Sequence, residues 1–352
     1  MASHLQSSYW IETEDWHTAG EPFRIVENLP DGFLPASATV AQRRLDVLGS
    51  AAGHPLDELR QSLCHEPRGH PDMYGGFITP PDDSGAHFGV LFWHKDGFST
   101  ACGHGTIALG YWALAKRIVK TPDEDGTVDV VVDVPSGRVV ASLAIRQGKP
   151  AHADFVNVLS YQLSRAVPVH VSSRNIDITV DLTFGGAVYA SLDAARLDLE
   201  VVPGNVQKFI DLGREVKAAL GTRAHYGAYD LYGVIFFAED NGGNDNDGLV
   251  QQRNVTVFAD GQIDRSPCGS GTAARVAILL AEGRLEAEKP SKLLHGSIIG
   301  SQFEADIVST EVSPAGAFPA CVPRVRGRAN LVGRMSFFID PTDSIYPGFL
   351  LR

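Results

Sequence analysis

Short runs of alternating or continuous apolar residues, broken by Gly and Pro, fill most of this chain. Apolar residues recur at helical spacing in only a few stretches. Residues 9–28 read as an opening strand pair whose turn is marked by Gly20 and Pro22. Residues 38–64 read as two helices broken near Gly53-His54-Pro55. A polar, glycine-rich EPRGHPDMYGG leads to a strand at Phe77-Ile78-Thr79. HFGVLFWHKDG then reads as a buried strand ending in a tight Lys95-Asp96-Gly97 turn. Cys102 opens an apolar helix ending at Lys116 and Arg117. Short strands fill 126–158, and 159–167 reads as a crossover into a second domain. Strands follow at 176–182 and 188–192, then an amphipathic helix at 206–220 and a strand at LYGVIFF. A strand ending at Phe258 precedes a helix at 272–283. Beyond 293, strands are interrupted by Pro314, Pro319 and Pro323, and RMSFFIDPTDSIYPGFLL reads as a last strand and tail.

At 352 residues the chain predicts two domains. With 44% hydrophobic and 20% charged residues it has the composition of a globular protein. A net charge of −12 argues against nucleic acid and anionic membranes as partners. No apolar run reaches membrane-spanning length, and MASHLQSSYW lacks the basic and apolar regions of a signal peptide. The expectation is a cytoplasmic protein with reduced thiols. Cys64, Cys102, Cys268 and Cys321 lie far apart without a CxxC, unlike a disulfide framework or zinc ribbon. The acidic loop EDNGGNDNDG resembles a calcium loop only superficially. Gly243 stands where the first aspartate belongs, and no closing glutamate follows.

Cys102 and Cys268 change the picture. CGHGTIALGYWALAKR and CGSGTAARVAILLAEGR share Cys-Gly-x-Gly-Thr-x-Ala, about half the chain apart, and each opens an apolar helix. A repeat at that distance predicts two related halves about a pseudo-two-fold axis. A lone free cysteine usually just packs; two in matched glycine-rich helix entrances point to chemistry. A helix N-terminus offers unpaired N–H groups and partial positive charge, glycines admit an anion closely, and the same field lowers a thiol's pKa. A redox pair lacks the CxxC spacing. A metal site of Cys102, His104 and Cys268 lacks a fourth ligand and would consume the anion site.

Two opposed thiols suit inversion of a carbon stereocentre, which needs a base on one face and an acid on the other. Half-ionising a thiol at neutral pH requires about 2 kcal/mol, near the upper end of what a helix N-terminus supplies. The N–H groups at Gly103, His104, Gly269 and Ser270 would hold a substrate carboxylate as charge builds on it. Asp264 is a candidate for a substrate ammonium, or a turn cap. His104 either donates to substrate or satisfies the turn. No pyridoxal-phosphate lysine motif is evident, so no cofactor is expected.

With DWHTAGEPFRIV (15–26), EPRGHPDMYGG (66–76), ACGHGTIALG (101–110), TFGGAVYASLDA (183–194) and FADGQIDRSPCGSGT (258–272), the chain resembles the proline racemase superfamily along nearly its whole length. That superfamily includes proline racemase, hydroxyproline 2-epimerases and trans-3-hydroxy-L-proline dehydratase. The resemblance implies an α+β protein of diaminopimelate epimerase-like fold. It implies two similar domains, each a curled β-sheet around a central helix, with the active site in the inter-domain cleft. The expected halves are 1–163 plus 338–352, carrying Cys102, and 164–337, carrying Cys268. It implies Cys102 and Cys268 as acid/base residues, with Gly103, His104, Asp264, Gly269 and Ser270 binding a proline or hydroxyproline substrate. Family members are often homodimers. Dehydratases of the family typically carry threonine at the second catalytic position, so Cys268 favours a racemase or 2-epimerase. GHPDMYGG, GVLFWHKDGFS and CGSG look closer to the dehydratase branch, which makes trans-3-hydroxy-L-proline dehydratase the alternative. His70, Tyr74 and Phe258 are candidates to face the substrate ring.

Overall fold

The computed structural model describes residues 7–51, 53–122, 124–240 and 248–351. The loop EDNGGNDNDG lies largely outside the described residues, as does most of MASHLQSSYW. The chain divides into two compact units, Met1–Pro150 with Ala329–Arg352, and Ala151–Arg328.

In the first unit, β1 (Tyr9–Thr18) and β2 (Glu21–Val26) form an antiparallel hairpin. Its two-residue turn, Ala19-Gly20, has both residues at positive φ, 50° and 96°, the conformation that matches strand twist in tight hairpins. Pro22, expected in the turn, instead sits in β2 opposite His17. α1 (Val40–Leu48) and α2 (Pro55–Cys64) then cross to β3 (Tyr74–Thr79), parallel to β2. The break between the helices falls where Gly53-His54-Pro55 placed it. His54 caps α2 by accepting the Leu56 N–H, and Pro55 fills the first helical position, where its missing donor costs nothing. β4 (Phe88–His94) runs antiparallel to β3 and is buried at every residue, and β5 (Gly97–Phe98) folds back on β4. α3 (Gly103–Ala115) crosses to β6 (Gly126–Val134), parallel to β4, and β7 (Gly137–Arg146) returns antiparallel. β18 (Ala329–Ile339) comes back to pair with β1.

The second unit repeats that order. Its strands are β8 (Lys149–Val156), β9 (Ser160–Val171), β10 (Ile176–Phe184), β11 (Val188–Asp193), β12 (Leu231–Glu239), β13 (Leu249–Phe258), β14 (Gln262–Asp264), β15 (Lys292–Ser297), β16 (Gln302–Glu311) and β17 (Ala320–Gly327). β10 and β11 are antiparallel, α4 (Val206–Leu220) crosses to β12 parallel to β11, and β13 is antiparallel to β12. β14 folds back on β13, α5 (Gly269–Ala281) crosses to the parallel β15, and β16 returns antiparallel. Every pairing from β1 to β7 thus has its counterpart from β10 to β16, with β9 pairing β10 as β18 pairs β1. Parallel neighbours need a crossover, and in each unit the second crossover is the helix that begins at a cysteine.

α3 carries no Asp, Glu, Lys or Arg, and α5 carries a single one, Arg275, which is buried on Gln252 and the Phe237 ring; otherwise both are small or apolar, as enclosed helices are. α3 packs on β1, β2, β6, β7 and β18; α5 packs on β9, β10, β11, β16 and β17. This is the curled sheet about a central helix that the resemblance implies.

Four expectations are corrected. Residues 159–167, read as a crossover, lie mostly in β9, which pairs with β10 and β17. The junctions consequently lie at 150/151 and 328/329 rather than 163/164 and 337/338. α5 begins at Gly269 rather than Thr272, so the glycines form its first turn. Pro323 lies within β17 opposite Ile307, next to a register shift that accommodates its missing donor.

One buried ion pair ties the first hairpin down. Arg24 on β2 pairs with Asp15 on β1 at 2.7 Å, and its Nη1 donates to Leu63 O and Arg68 O, both at 2.7 Å. Its guanidinium also lies 4.4 Å from the centre of the Phe337 ring of β18. Arg24→Ala leaves a buried carboxylate unpaired and is expected to cost about 3–5 kcal/mol. Urea unfolding measures it: the midpoint falls with little change in slope. A cost below about 1 kcal/mol contradicts this assignment.

Candidate active site

In both units a short hairpin strand, β5 or β14, delivers the chain to a cysteine that caps the crossover helix. Cys102 Sγ accepts the Gly105 N–H at 3.2 Å, and Cys268 Sγ accepts the Gly271 N–H at 3.3 Å. The thiol thus takes the place of the usual Ser or Asp oxygen on an orphan first-turn donor. The geometry also explains the second glycine of Cys-Gly-x-Gly. A Cβ at Gly105 would lie 2.7 Å from Cys102 Sγ, and one at Gly271 2.8 Å from Cys268 Sγ. Any side chain there would displace the sulfur. The threonine that follows is used too: Thr106 Oγ1 donates to Cys102 O at 2.9 Å, and Thr272 Oγ1 to Pro267 O at 3.1 Å. N–H groups at the first two helical positions have no acceptor inside any helix. Here those positions are Gly103 and His104, and Gly269 and Ser270.

The two entrances differ beyond the cap. Cys102 has ordinary extended torsions, φ −154° and ψ 98°. The His104 ring nitrogens lie 3.4 and 3.5 Å from its sulfur. That ring stands edge-on to Tyr74 and Phe23, with centroids 5.0 and 5.9 Å away. Thr18 Oγ1 holds the His104 carbonyl at 2.8 Å. Cys268 instead has φ 64° and ψ 109°, a conformation non-glycine residues adopt only when their surroundings impose it. Its N–H donates to Ser266 Oγ at 3.1 Å, and Ser266 donates through N and Oγ to Asp264 Oδ1 at 2.8 and 2.7 Å. The preceding carbonyl, Pro267 O, also accepts from Asn254 Nδ2 at 3.0 Å. Thr272 Oγ1 is backed by His295 Nδ1 at 2.8 Å.

Electrostatics at Cys268 run against the expectation of an activated thiol. Burial pushes its pKa well up, and the Asp264 carboxylate adds to the rise. The Gly271 N–H and the Tyr189 hydroxyl pull the other way without prevailing. Burial also pushes Asp264 up to about 6, against the hydrogen bonds from Ser266 and the charge of Arg265. A helix end supplies at most about 2 kcal/mol, whereas burying an ionised group costs several. The thiol form wins.

All seven predicted site residues stand at the two helix entrances. Cys102, Gly103 and His104 come together in the first unit; Asp264, Cys268, Gly269 and Ser270 come together in the second. Of the ring-facing candidates, Tyr74 is buried against the His104 ring, and its hydroxyl bonds Ser99 Oγ. Phe258 stacks on Tyr232, while His70 lies exposed in a turn and accepts the Asp72 N–H. Cys64 and Cys321 are buried in the core, with pKa values pushed up to about 12 by burial. Sequence reasoning missed Tyr189, whose hydroxyl lies 2.7 Å from Ser270 Oγ and 3.9 Å from Cys268 Sγ. It also missed Phe23. Gly20 and Gly186 have φ 96° and 94°, and Phe23 and Tyr189 each follow their glycine by three residues. Extending the repeat beyond the cysteines finds both.

A family model described as proline racemase matches residues 14–350. The chain is 37% identical over 351 residues to a trans-3-hydroxy-L-proline dehydratase of Bacillus thuringiensis subsp. konkukian, covering 96% of this chain and 97% of that protein. It is 36% identical over 355 residues to a 3-hydroxyproline 2-epimerase of Burkholderia multivorans, covering 99% and 100%. The crystal structure of a hydroxyproline epimerase from Agrobacterium vitis with bound trans-4-hydroxy-L-proline matches with a TM-score of 0.85 at 26% identity, over 97% of this chain and 96% of that one. No helix among the described residues is long and apolar enough to cross a membrane. Fold, repeat and sequence agree: the chain belongs to the proline racemase family of enzymes.

Proposed function

We propose that this chain is a cofactor-independent racemase or 2-epimerase that inverts the α-carbon of proline or a hydroxyproline. Cys102 and Cys268 act as its acid/base pair. The observation that carries the reading is the matched pair of thiols, each capping a helix entrance on a bare glycine. One sulfur, as thiolate, takes the α-proton; the electron pair moves into the carboxylate-stabilised carbanion. The other sulfur, as thiol, delivers a proton to the opposite face. The two sulfurs have then exchanged protonation states, ready for the substrate of opposite hand. The N–H groups of Gly103, His104, Gly269 and Ser270 stabilise the carboxylate as it gains charge.

Asp264 binds the substrate ammonium in this reading, which gives its awkward electrostatics a use. An ionised, buried Asp264 disfavours the Cys268 thiolate. A substrate ammonium beside Asp264 cancels that repulsion, so binding itself prepares Cys268 to lose its proton.

A second reading is favoured by the similarity to relatives named trans-3-hydroxy-L-proline dehydratase. There the same α-proton abstraction ends in loss of the 3-hydroxyl, giving an enamine that tautomerises to an imine. Proton NMR in heavy water with L-proline, trans-4-hydroxy-L-proline and trans-3-hydroxy-L-proline separates the two. The leading reading expects α-deuterium incorporation with appearance of the inverted epimer. An imine from the 3-hydroxy substrate, with no inverted product from any of the three, replaces it by the second. Cys268→Ala is expected to lower inversion by about 10²–10⁴-fold; full inversion in that variant overturns the two-thiol mechanism.

Asp264 also yields a pH prediction. Its folded pKa of about 6 exceeds the reference value of 3.8, so between those pH values the folded chain binds a proton that the unfolded chain releases. Stability from this group therefore falls as pH rises through that window, by about 3 kcal/mol in all. Asp264→Asn is expected to match the wild type at pH 4, to exceed it in unfolding free energy at pH 7.5, and to lack activity. Equal stability of the two proteins at pH 7.5 refutes the assignment.

A further inference from the structure

The repeat of the fold lets each thiol be compared with its counterpart. In the first unit the aromatic residue three after the hairpin glycine is Phe23; in the second it is Tyr189. Both stand at the same position of the matching strands. Phe23 pairs with Trp16 of β1 and Tyr189 with Thr183 of β10. Each ring lies near a glycine of the next strand, at different registers: Gly76 faces Ile25, and a Cβ there would be 3.0 Å from Phe23 Cζ, whereas Gly233 faces Tyr189 itself, and a Cβ there would be 3.3 Å from its Cε1. The residue two after the cysteine differs in step. His104 stands edge-on to Phe23 with its ring nitrogens beside the Cys102 sulfur. Ser270 is shorter, and Tyr189 Oη lies 2.7 Å from Ser270 Oγ and 3.9 Å from Cys268 Sγ. Histidine over phenylalanine in one half is replaced by serine under tyrosine in the other.

We infer that Tyr189 is a positioning residue for Cys268, with its hydroxyl standing where the His104 imidazole stands beside Cys102. In the inferred arrangement the Ser270 hydroxyl donates to Tyr189 Oη, and the phenol proton is then directed at the Cys268 sulfur. The chain Ser270, Tyr189, Cys268 holds Ser270 in one rotamer and supplies the thiolate with a side-chain donor besides the Gly271 N–H. Tyr189 is fully buried and lies edge-on to Tyr232, with ring centroids 5.8 Å apart, so water does not substitute for its hydroxyl. It touches the thiol, takes no proton from substrate, and acts by making the Cys268 thiolate accessible.

The inference rests on the proposed acid/base use of Cys268, and its test is read without substrate so that a wrong substrate leaves it standing. Tyr189→Phe gives the second half the residue of the first and removes one oxygen. The pH dependence of iodoacetamide alkylation is followed separately at Cys268 and Cys102 by peptide mass spectrometry. A lost hydrogen bond to a charged group amounts to about tenfold in ionisation, so the Cys268 midpoint is expected to rise by about one pH unit. The Cys102 midpoint stays in place. On whichever substrate is turned over, kcat/KM falls about tenfold, with its thiolate-dependent limb displaced to higher pH. A Cys268 midpoint unchanged in a folded variant overturns the inference, whatever happens to the melting temperature. If the variant does not fold, protein labelled with 3-fluorotyrosine carries the test: its more acidic phenol must lower the Cys268 midpoint, and no change or a rise overturns the inference.

Discussion

A sulfur seated on the first turn of an enclosed helix is the constraint that the rest of each unit serves. For the sulfur to accept the N–H three residues on, that residue must have no side chain, because a Cβ there would touch it. For the helix to begin at that point, the chain must arrive from a hairpin strand and leave as a crossover between parallel strands. For the helix to be enclosed by the sheet, its residues must be small, apolar or, as at Arg275, paired inside the enclosure. The segments Cys-Gly-x-Gly-Thr-x-Ala and their apolar continuations meet all of these conditions at once. A motif so short therefore recurs with the whole order of pairings around it.

Within that shared frame the two thiols have been made unlike. Cys102 rests in relaxed torsions beside an imidazole, whereas Cys268 is held at positive φ by a carboxylate–serine bracket on one side and by Asn254 and Thr272 on the other. Such a backbone conformation costs about 1–3 kcal/mol, and an ionised buried Asp264 costs more. Both costs fall on residues expected to meet substrate. In the proposed reaction an ammonium group bound at Asp264 would offset the second.

The repeat, the helix break at His54-Pro55 and the amphipathic α4 were legible because each depends on residues close in sequence. β9 was misread because its middle, Ser164-Arg165-Ala166, is polar and Pro168 interrupts it; its place is fixed by β10 and β17, far away in the chain. The placing of both cysteines at helix entrances followed from spacing, but the direction of the Cys268 pKa did not. Helix-end activation is a local effect readable from sequence, while desolvation and the Asp264 charge depend on tertiary enclosure. Tyr189 escaped for a related reason. Nothing about a tyrosine in TFGGAVYASLDA marks it until the fold sets it opposite Ser270.

The torsions of Cys268 also constrain which side chain can stand there. At φ 64° a residue already pays for its conformation, and a β-branched side chain pays more, since its second γ substituent crowds the backbone. Threonine at this position would therefore do more than exchange a thiol for a hydroxyl. Its second γ substituent would have to be accommodated beside a backbone at positive φ. The identity of the side chain at this position is thus coupled to the local backbone. In this chain the backbone is braced for cysteine: the bare Gly271 leaves room for a sulfur, and the bracket holds the torsions that aim it.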